Sequence, residues 1–426
     1  MSVTVSSPDL RPSLTGVLQG LAAAGALDGV VTTLAFAPSG KALSLAGRLA
    51  PGYAALLRRR AVPDGIGRVE VVPGGELLMQ ACVRLGFGDV AQHRAWMWAE
   101  PYFDRRAAAR IAGRSAVLYG HEHAARTSFA AQKRAGGRCA LRQVNAHCAF
   151  LDATLDGEHA RFGAPPTPLW NAIVASRARV NERKLAEYEL ADLIVVNSAF
   201  VGRTFVDAGV PASKIVVAPT GCPTPIDARR PRPARPMTVV CAGHLSFRKG
   251  TPYLVEAWRR LGLPPAEAEL VLAGPTMLPP GLLALPDGVR AVGVLSAPAL
   301  DELYRRASLF VLPTLCEGLA HVIPEALSHG VPVLTTPNSG AEALITEGIN
   351  GWMVAPRDVE TLAERLQWCR DHPEELDAMG ESALATARRT TRAAAVAAHV
   401  GIVLDLVRGA APARLSAALQ RAPVAS

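Results

Sequence analysis

The chain has 426 residues, half of them hydrophobic and 19% charged, with a net charge of +8. That length exceeds one ordinary core and suits two domains, and the composition excludes a disordered polymer. The positive balance suits an acidic partner such as a nucleotide or a phospholipid headgroup. Only 5% of residues are aromatic and no basic run interleaves aromatics, so no nucleic-acid partner is predicted.

Seven cysteines are present: Cys82, Cys139, Cys148, Cys222, Cys241, Cys316 and Cys369. The count is odd and no pair has C-x-x-C spacing, which points to a reducing compartment and away from a disulfide framework or a zinc site. The first residues, "MSVTVSSPDLRPSLTG", lack the regions of a signal peptide, and no apolar run reaches the roughly 18 residues of a spanning helix. The expectation is a cytoplasmic protein. "LLRRR" (56–60) and "DRRAAAR" (104–110) read as solvated helix faces or as contacts for an anionic membrane.

In chain order, "SVTVSS" (2–7) predicts a strand, "LTGVLQGLAAAG" (14–25) a helix with one apolar face, and "GVVTTLAF" (29–36) a second strand. "RSAVLY" (114–119) and "CALRQV" (139–144) predict strands around a helix over "HAARTSFAAQKRAGG" (123–137). A long polar helix follows near 170–190, then strands "LIVVNS" (193–198) and "KIVVAP" (214–219). Such alternation implies parallel strands with crossover helices.

At 222–236, "CPTPIDARRPRPARP" holds five prolines and four arginines, which predicts a stiff linker or, alternatively, a long surface loop. The alternation then restarts. "MTVVCAG" (237–243) is a strand, "TPYLVEAWRRLG" (251–262) an amphipathic helix, and "AELVLAG" (268–274), "VRAVGV" (289–294), "ASLFVLPT" (307–314) and "VPVLTT" (331–336) are strands. The predicted fold is α/β, with two doubly wound Rossmann-like domains (1–221 and 237–389) facing across a cleft. Ligands should sit at the carboxyl ends of their strands. "TTRAAAVAAHVGIVLDLVRG" (390–409) is too apolar for a free tail and should pack back on the first domain.

Two segments carry chemistry. "CEGLAHVIPEALSHGVPV" (316–333) keeps Glu317 and Glu325 eight positions apart. Glu317 should follow a strand end in a loop with Gly318. Pro324 predicts the first helical residue, which puts Glu325 in the first turn of a helix ended by Gly330. A helix start suits phosphate oxygens, and a carboxylate beside it suits a ribose diol. Alternatively, Glu325 complements the helix dipole and Glu317 is solvated. "CAGHLSFRKG" (241–250) follows the first strand of the second domain. Gly243 and Gly250 permit a tight turn, and Arg248 and Lys249 could stabilise charge on a departing diphosphate. Its alternative is a solvated basic turn. No P-loop and no G-x-G-x-x-G opens either domain, which disfavours a nucleotide-hydrolysing motor and a dehydrogenase. In "HEH" (121–123) a helix start would separate the two imidazoles, and no third ligand is near, so no metal site is predicted.

"HLSFRKGTPYLVEAW", then "LVLAG", then "ELYRRASLFVLPTLCEGLAHVIPEALSHGVPVLTTPNSGAEALITEGINGWMVAPRDVETLAERL" resembles the family 4 glycosyltransferases of the GT-B fold over 237–370. The E-x7-E spacing, the "RKG" turn and the "NGWMV" strand after "SGAEALI" carry the likeness. "ELADLIVVNSAFVGRTFVDAGVPASKIVVAPTG" (189–221) resembles the end of that family's first domain. The resemblance implies a retaining transferase that uses a nucleotide diphosphate sugar, with no metal in the chemistry and no further cofactor. The first domain would bind a sugar, lipid-linked or small-molecule acceptor. On that likeness Glu317 holds hydroxyls of the donor sugar, Glu325 the ribose, and Arg248 and Lys249 the diphosphate. Gly243, His244, Gly250, Gly318, Leu319 and Ala320 complete the donor site, and His147, at the end of "CALRQVNAH", faces the donor sugar.

Several places depart from the pattern, His321 and Pro324 in the loop among them. "SSPDLRPSLTG" replaces a glycine-rich turn after the first strand. His244 stands where arginine is frequent, and Ala320 where glycine is usual, so its methyl group is expected to crowd the donor sugar. These departures leave open a non-catalytic nucleotide-sugar-binding protein. A GT-B sugar-nucleotide epimerase is a further alternative.

Overall fold

A computed structural model describes residues 2–411, apart from 11, 37–59, 64, 112, 164, 230–235, 280 and 283. Its first sheet comprises β1 (Val3–Ser6), β2 (Leu27–Thr32), β3 (Arg68–Val71), β4 (Val117–His121), β5 (Arg138–Gln143), β6 (Leu193–Val196) and β7 (Ile215–Val217), in the order β3-β2-β1-β4-β5-β6-β7. The crossovers are α1 (Pro12–Ala23), α2 (Gly74–Arg84), α3 (Asp89–Ile111), α4 (Arg126–Arg134), α5 (Cys148–Phe162), α6 (Pro168–Leu190) and α7 (Ala199–Asp207). All pairings are parallel.

The strands are apolar on both faces because both faces are covered. Leu193 and Val195 of β6 join Val117, Tyr119 and Val5 under α1, while Ile194 and Val196 join Leu118, Phe103 and Phe129 on the other side. One apolar run thus feeds two cores through the two-residue period of a strand.

The second sheet repeats the plan with β8 (Met237–Ala242), β9 (Ala268–Ala273), β10 (Val289–Gly293), β11 (Leu309–Leu312), β12 (Val333–Thr335) and β13 (Gly351–Met353), in the order β10-β9-β8-β11-β12-β13. Its helices are α8 (Thr251–Leu261), α9 (Ala297–Arg306), α10 (Val322–Ser328), α11 (Val359–Asp371) and α12 (Pro373–Arg389). In both sheets the strand order reverses beside a central strand, β1 or β8, which opens a crevice at the carboxyl ends there.

The last helix, α13 (Arg392–Val407), returns to the first domain. Val400, Val403 and Leu406 share a core with Leu14, Leu18 and Leu21 of α1. Gly16 and Gly20 make the approach possible: a methyl group on Gly20 would lie 2.6 Å from Val400. The chain crosses between domains twice, and the crossings touch. The Cys222 N–H donates to the Thr390 carbonyl, and the Arg392 N–H donates to the Cys222 carbonyl. Residues 222–229 then run along the second domain, where Arg229 pairs with Asp377 and Glu381.

Several sequence expectations shift. β3, α2, α3, α5, α7, α9, α11 and α12 are not among the predicted elements. β3 is a short strand with partly exposed Arg68 and Glu70 at a sheet edge, and α3 uses several of its faces, so neither shows a clean apolar period. "HEH" does not start a helix: His121 ends β4, Glu122 and His123 form a turn, and α4 starts at Arg126. Pro324 is the third residue of α10 rather than its first. In "DRRAAAR", Asp104 is buried and accepts from the N–H groups of Thr127 and Ser128, capping α4, while Arg105 and Arg106 are exposed. Of "LLRRR", only Arg60 lies within the described residues, and it is bound to Asp9 and Glu76. Among the described residues no helix is long and apolar enough to cross a membrane.

Candidate active site

The "RKG" turn follows β8 and is fastened to the loop that follows β11. Gly250 has φ +69°, and a methyl group on it would lie 1.9 Å from the Pro313 carbonyl oxygen, so only glycine allows this approach. The Arg248 carbonyl accepts from the Leu315 N–H at 2.8 Å and from Thr314 Oγ1 at 2.8 Å. Gly243 turns the chain out of β8 with φ +122°. The two ends are thereby held together before any ligand arrives.

That fastening brings the predicted charges into contact. Glu317 Oε1 lies 2.9 Å from Lys249 Nζ and 3.2 Å from Arg248 Nε. Arg248 Nε also donates to the Cys316 carbonyl, and its Nη2 donates to Asn145 Oδ1 of the first domain at 3.3 Å. Glu317 is only 9% exposed. One carboxylate facing two cations leaves an excess positive charge in a half-enclosed site, which favours an anion.

Gly318 is a place where the second domain meets the backbone of the first. A methyl group on it would lie 1.8 Å from the Val144 carbonyl oxygen, and its own carbonyl accepts from Ser198 Oγ. Beside this contact opens a cavity of ≈ 730 Å³ between the domains. Of the predicted set, His244, Arg248, Glu317, Gly318 and Leu319 line it, and His244 is exposed there.

Other predicted residues sit elsewhere. Ala320 is 2% exposed and packs in the core of the second domain, so its methyl group points into protein and the expected crowding of a sugar does not arise. His147 is 4% exposed. Its ring packs against Tyr188 and Phe205, and Nδ1 accepts from the Ala149 N–H as the N-cap of α5. Burial lowers its pKa. The expectation that His147 faces the cleft is therefore corrected: a strand-end histidine serves here as a buried cap. Glu325 lies in the first turn of α10, half-buried, and accepts from the Tyr304 hydroxyl at 3.1 Å. Burial raises its carboxyl, against the Tyr304 bond and the charges of Arg392 and His329.

The "HEH" turn faces the cavity instead. Glu122 accepts from Gln143 Nε2 at 2.8 Å, Asn145 Nδ2 at 2.7 Å and the Val144 N–H at 3.2 Å. Burial opposes its charge, but the flanking imidazoles, the Lys184 ammonium and the Asn145 bond outweigh that and hold the carboxyl below its usual range. Glu122 thus fixes Asn145, which in turn meets Arg248 across the cleft. His123 adopts φ +72°, unusual for a side-chain-bearing residue. Burial pushes its pKa down to about 3, so its ring is neutral. A glutamate directly after a central strand was the available signal in the sequence. Among the described residues no group of three or more His, Cys, Asp or Glu is placed to hold a metal ion.

Comparison with known proteins matches residues 236–372 to the family model described as glycosyl transferases group 1. The second domain resembles the group 1 glycosyl transferases. The putative colanic acid biosynthesis glycosyltransferase WcaL of Escherichia coli is 28% identical over 182 residues, 37% of this chain and 42% of that protein. Alpha-D-kanosaminyltransferase of Streptomyces kanamyceticus is 29% identical over 151 residues, 34% and 39% of the two chains. The chain spans less than half the length of these curated relatives. Among solved structures, Anabaena HepE in complex with UDP is 17% identical with a TM-score of 0.59, covering 95% of this chain and 100% of that one. Sucrose-phosphate synthase from Thermosynechococcus elongatus is 16% identical with a TM-score of 0.59, covering 96% and 99%. The fold is GT-B.

Proposed function

We propose that this chain is a family 4 glycosyltransferase that moves a sugar from a nucleotide diphosphate sugar to an acceptor, with retention and without a metal in the chemistry. The observation that carries this reading is the contact of Glu317, which lines the cavity beside Arg248, with both Arg248 and Lys249. It sets a carboxylate able to accept sugar hydroxyls beside two cations able to take a diphosphate.

In the proposed step the bond between the anomeric carbon and the diphosphate oxygen breaks, and its electron pair stays on that oxygen. Arg248 and Lys249 stabilise the charge as it develops. The acceptor hydroxyl attacks from the face the diphosphate leaves, so the configuration is retained, and its proton passes to the departing phosphate. Glu325 would hold the ribose. Closure of the two domains would exclude water. The seven cysteines are all free and buried, which fits a cytoplasmic enzyme. HepE has been solved with UDP-glucose, which makes uridine donors the first to try.

The test is saturation-transfer NMR against UDP-, GDP-, ADP- and dTDP-sugars, with Glu325→Ala alongside. One donor should bind, and the variant should bind it about tenfold more weakly or worse, the worth of a hydrogen bond to a charged group. If no donor binds the wild type at millimolar concentration, the reading fails. If Glu325→Ala binds equally well, the ribose assignment fails.

A further inference from the structure

We propose that the first-domain wall of the cavity, centred on Glu100 and Trp96 of α3, is the acceptor subsite, and that it takes a ring polyol carrying a protonated amine. The inference rests on the transferase reading above and adds the chemical class of the acceptor.

Glu100 and Trp96 line the same cavity as Arg248 and Glu317, from the opposite domain. They stand one helical turn apart, and Trp96 Nε1 donates to Glu100 Oε1 at 3.2 Å. The other carboxylate oxygen, Oε2, is buried and has no hydrogen-bond partner among the described residues. So is Nδ1 of His123, whose ring meets the Trp96 ring edge-on at 5.3 Å. Buried polar atoms without partners are costly unless a ligand supplies them. The Trp96 indole, with the Arg183 guanidinium 6.0 Å over its ring, lines the cavity, where it can meet C–H groups of a sugar or cyclitol ring, while Glu100 and His123 offer polar contacts.

Charge decides the class. Among the described lining residues of the first domain, four carboxylates (Asp9, Glu76, Glu100 and Glu122) face one guanidinium, Arg60, while a second, Arg183 of α6, lies behind the wall, 6.0 Å from the Trp96 ring. Arg60 is bound to Asp9 at 2.9 Å and to Glu76 at 2.8 Å. A phosphorylated acceptor would meet carboxylates on this wall. An alkylammonium would supply the partner that the Glu100 oxygen lacks.

The titration of Glu100 gives the site a signature. Burial raises its carboxyl to about 7, with Glu122 and Asp104 acting in the same direction. Arg183 of α6 and the Trp96 bond oppose the rise. His123, neutral, also faces the group across the Trp96 ring. Below about pH 7 the free carboxyl is mostly protonated and a poor partner for a cation. Above it the carboxylate is present, so an amine that stays protonated to about pH 8 should bind more tightly as pH rises from 6 to 8.

Three probes test this: methyl 6-amino-6-deoxyglucoside, methyl glucoside and methyl glucoside 6-phosphate. Each is titrated by saturation-transfer NMR into the full chain, with and without UDP, using wild type and Glu100→Gln. The aminated probe should bind about tenfold more tightly than either other probe, and more tightly at pH 8 than at pH 6. Glu100→Gln should erase both the preference and the pH trend while leaving UDP binding unchanged. Tightest binding of the phosphorylated probe, equal binding of all three, or a preference that survives Glu100→Gln overturns the proposal. So does a flat pH profile in the wild type, which needs no variant to fold. An amine preference in a protein that binds no nucleotide would support the subsite and sink the donor reading instead.

Discussion

Glu317, Arg248 and Lys249 form a charge triangle, and on the proposed reading the carboxylate holds the place that a donor's diphosphate would take. Both cations contact the same carboxylate oxygen, so they are positioned before a diphosphate arrives. A donor would then compete with Glu317 for them, and the carboxylate would turn toward sugar hydroxyls. This division of labour separates two variants. Lys249→Ala should weaken UDP binding about tenfold or more, since it removes a charged contact, and should lower kcat/KM by roughly 10²–10³. Glu317→Gln keeps the shape and removes only the charge that competes for the cations. Its UDP affinity should be equal or higher, while turnover with the full donor falls. Calorimetry with UDP and steady-state rates with the sugar donor give both numbers. A loss of UDP affinity in Glu317→Gln as large as in Lys249→Ala would mean that the carboxylate serves the diphosphate, not the sugar.

The loop from Cys316 to Leu319 is one element on which the domains meet, and its one glycine carries a backbone approach that a side chain would block. A Cβ at Gly318 would sit 1.8 Å from the Val144 carbonyl oxygen and 2.7 Å from Asn197 Nδ2. Backbone cannot yield as a side chain does, so Gly318→Ala should push the loop off the first domain. The expected cost is about 1–3 kcal/mol of overpacking, read as a lowered Tm, and turnover should drop much further because Glu317 moves with the loop. Near-normal turnover would show that the domains need not be this close. Gly318 and the Glu317–Glu325 spacing could be read in the sequence because their constraints are local: a strand end, a turn, a short helix. The buried apolar strands were legible for the same reason. Glu100, Glu122 and the cap role of His147 were not. They depend on which face of α3 meets the cleft and on which strand end lies beside the switch point, and no local period encodes either. Ala320 misled because a position inside a matching motif still points where the core requires.

At the scale of the molecule, the two crossings between the domains touch at Cys222 and Thr390–Arg392, and a further contact between the domains forms at Glu158. Glu158 of α5 is fully buried. It accepts from Arg357 Nε at 2.6 Å and from the Tyr253 hydroxyl, both of the second domain. Arg357 holds φ +72°, a conformation that side-chain-bearing residues adopt rarely. Burial and then Glu158 raise the Tyr253 hydroxyl above its usual range, so it remains a donor at any working pH. A hydrogen-bonded ion pair at this depth costs about 3–5 kcal/mol to break when the surviving charge stays buried. Here Arg357 retains 36% side-chain exposure and can turn to solvent. The cost of Glu158→Ala should therefore fall below that range, about 1–3 kcal/mol, and appear as domain opening rather than unfolding. Small-angle scattering should report a larger radius of gyration for free Glu158→Ala than for wild type. A nucleotide should restore the compact form, because Arg248 and Lys249 on one side and the first domain on the other would then share a ligand. Glu158→Gln, which keeps an acceptor for Tyr253, should fall between the two. Identical scattering for wild type and Glu158→Ala, with a Tm lowered in both the presence and the absence of nucleotide, would reduce the pair to a local packing contact and move the control of closure to the Gly318 loop.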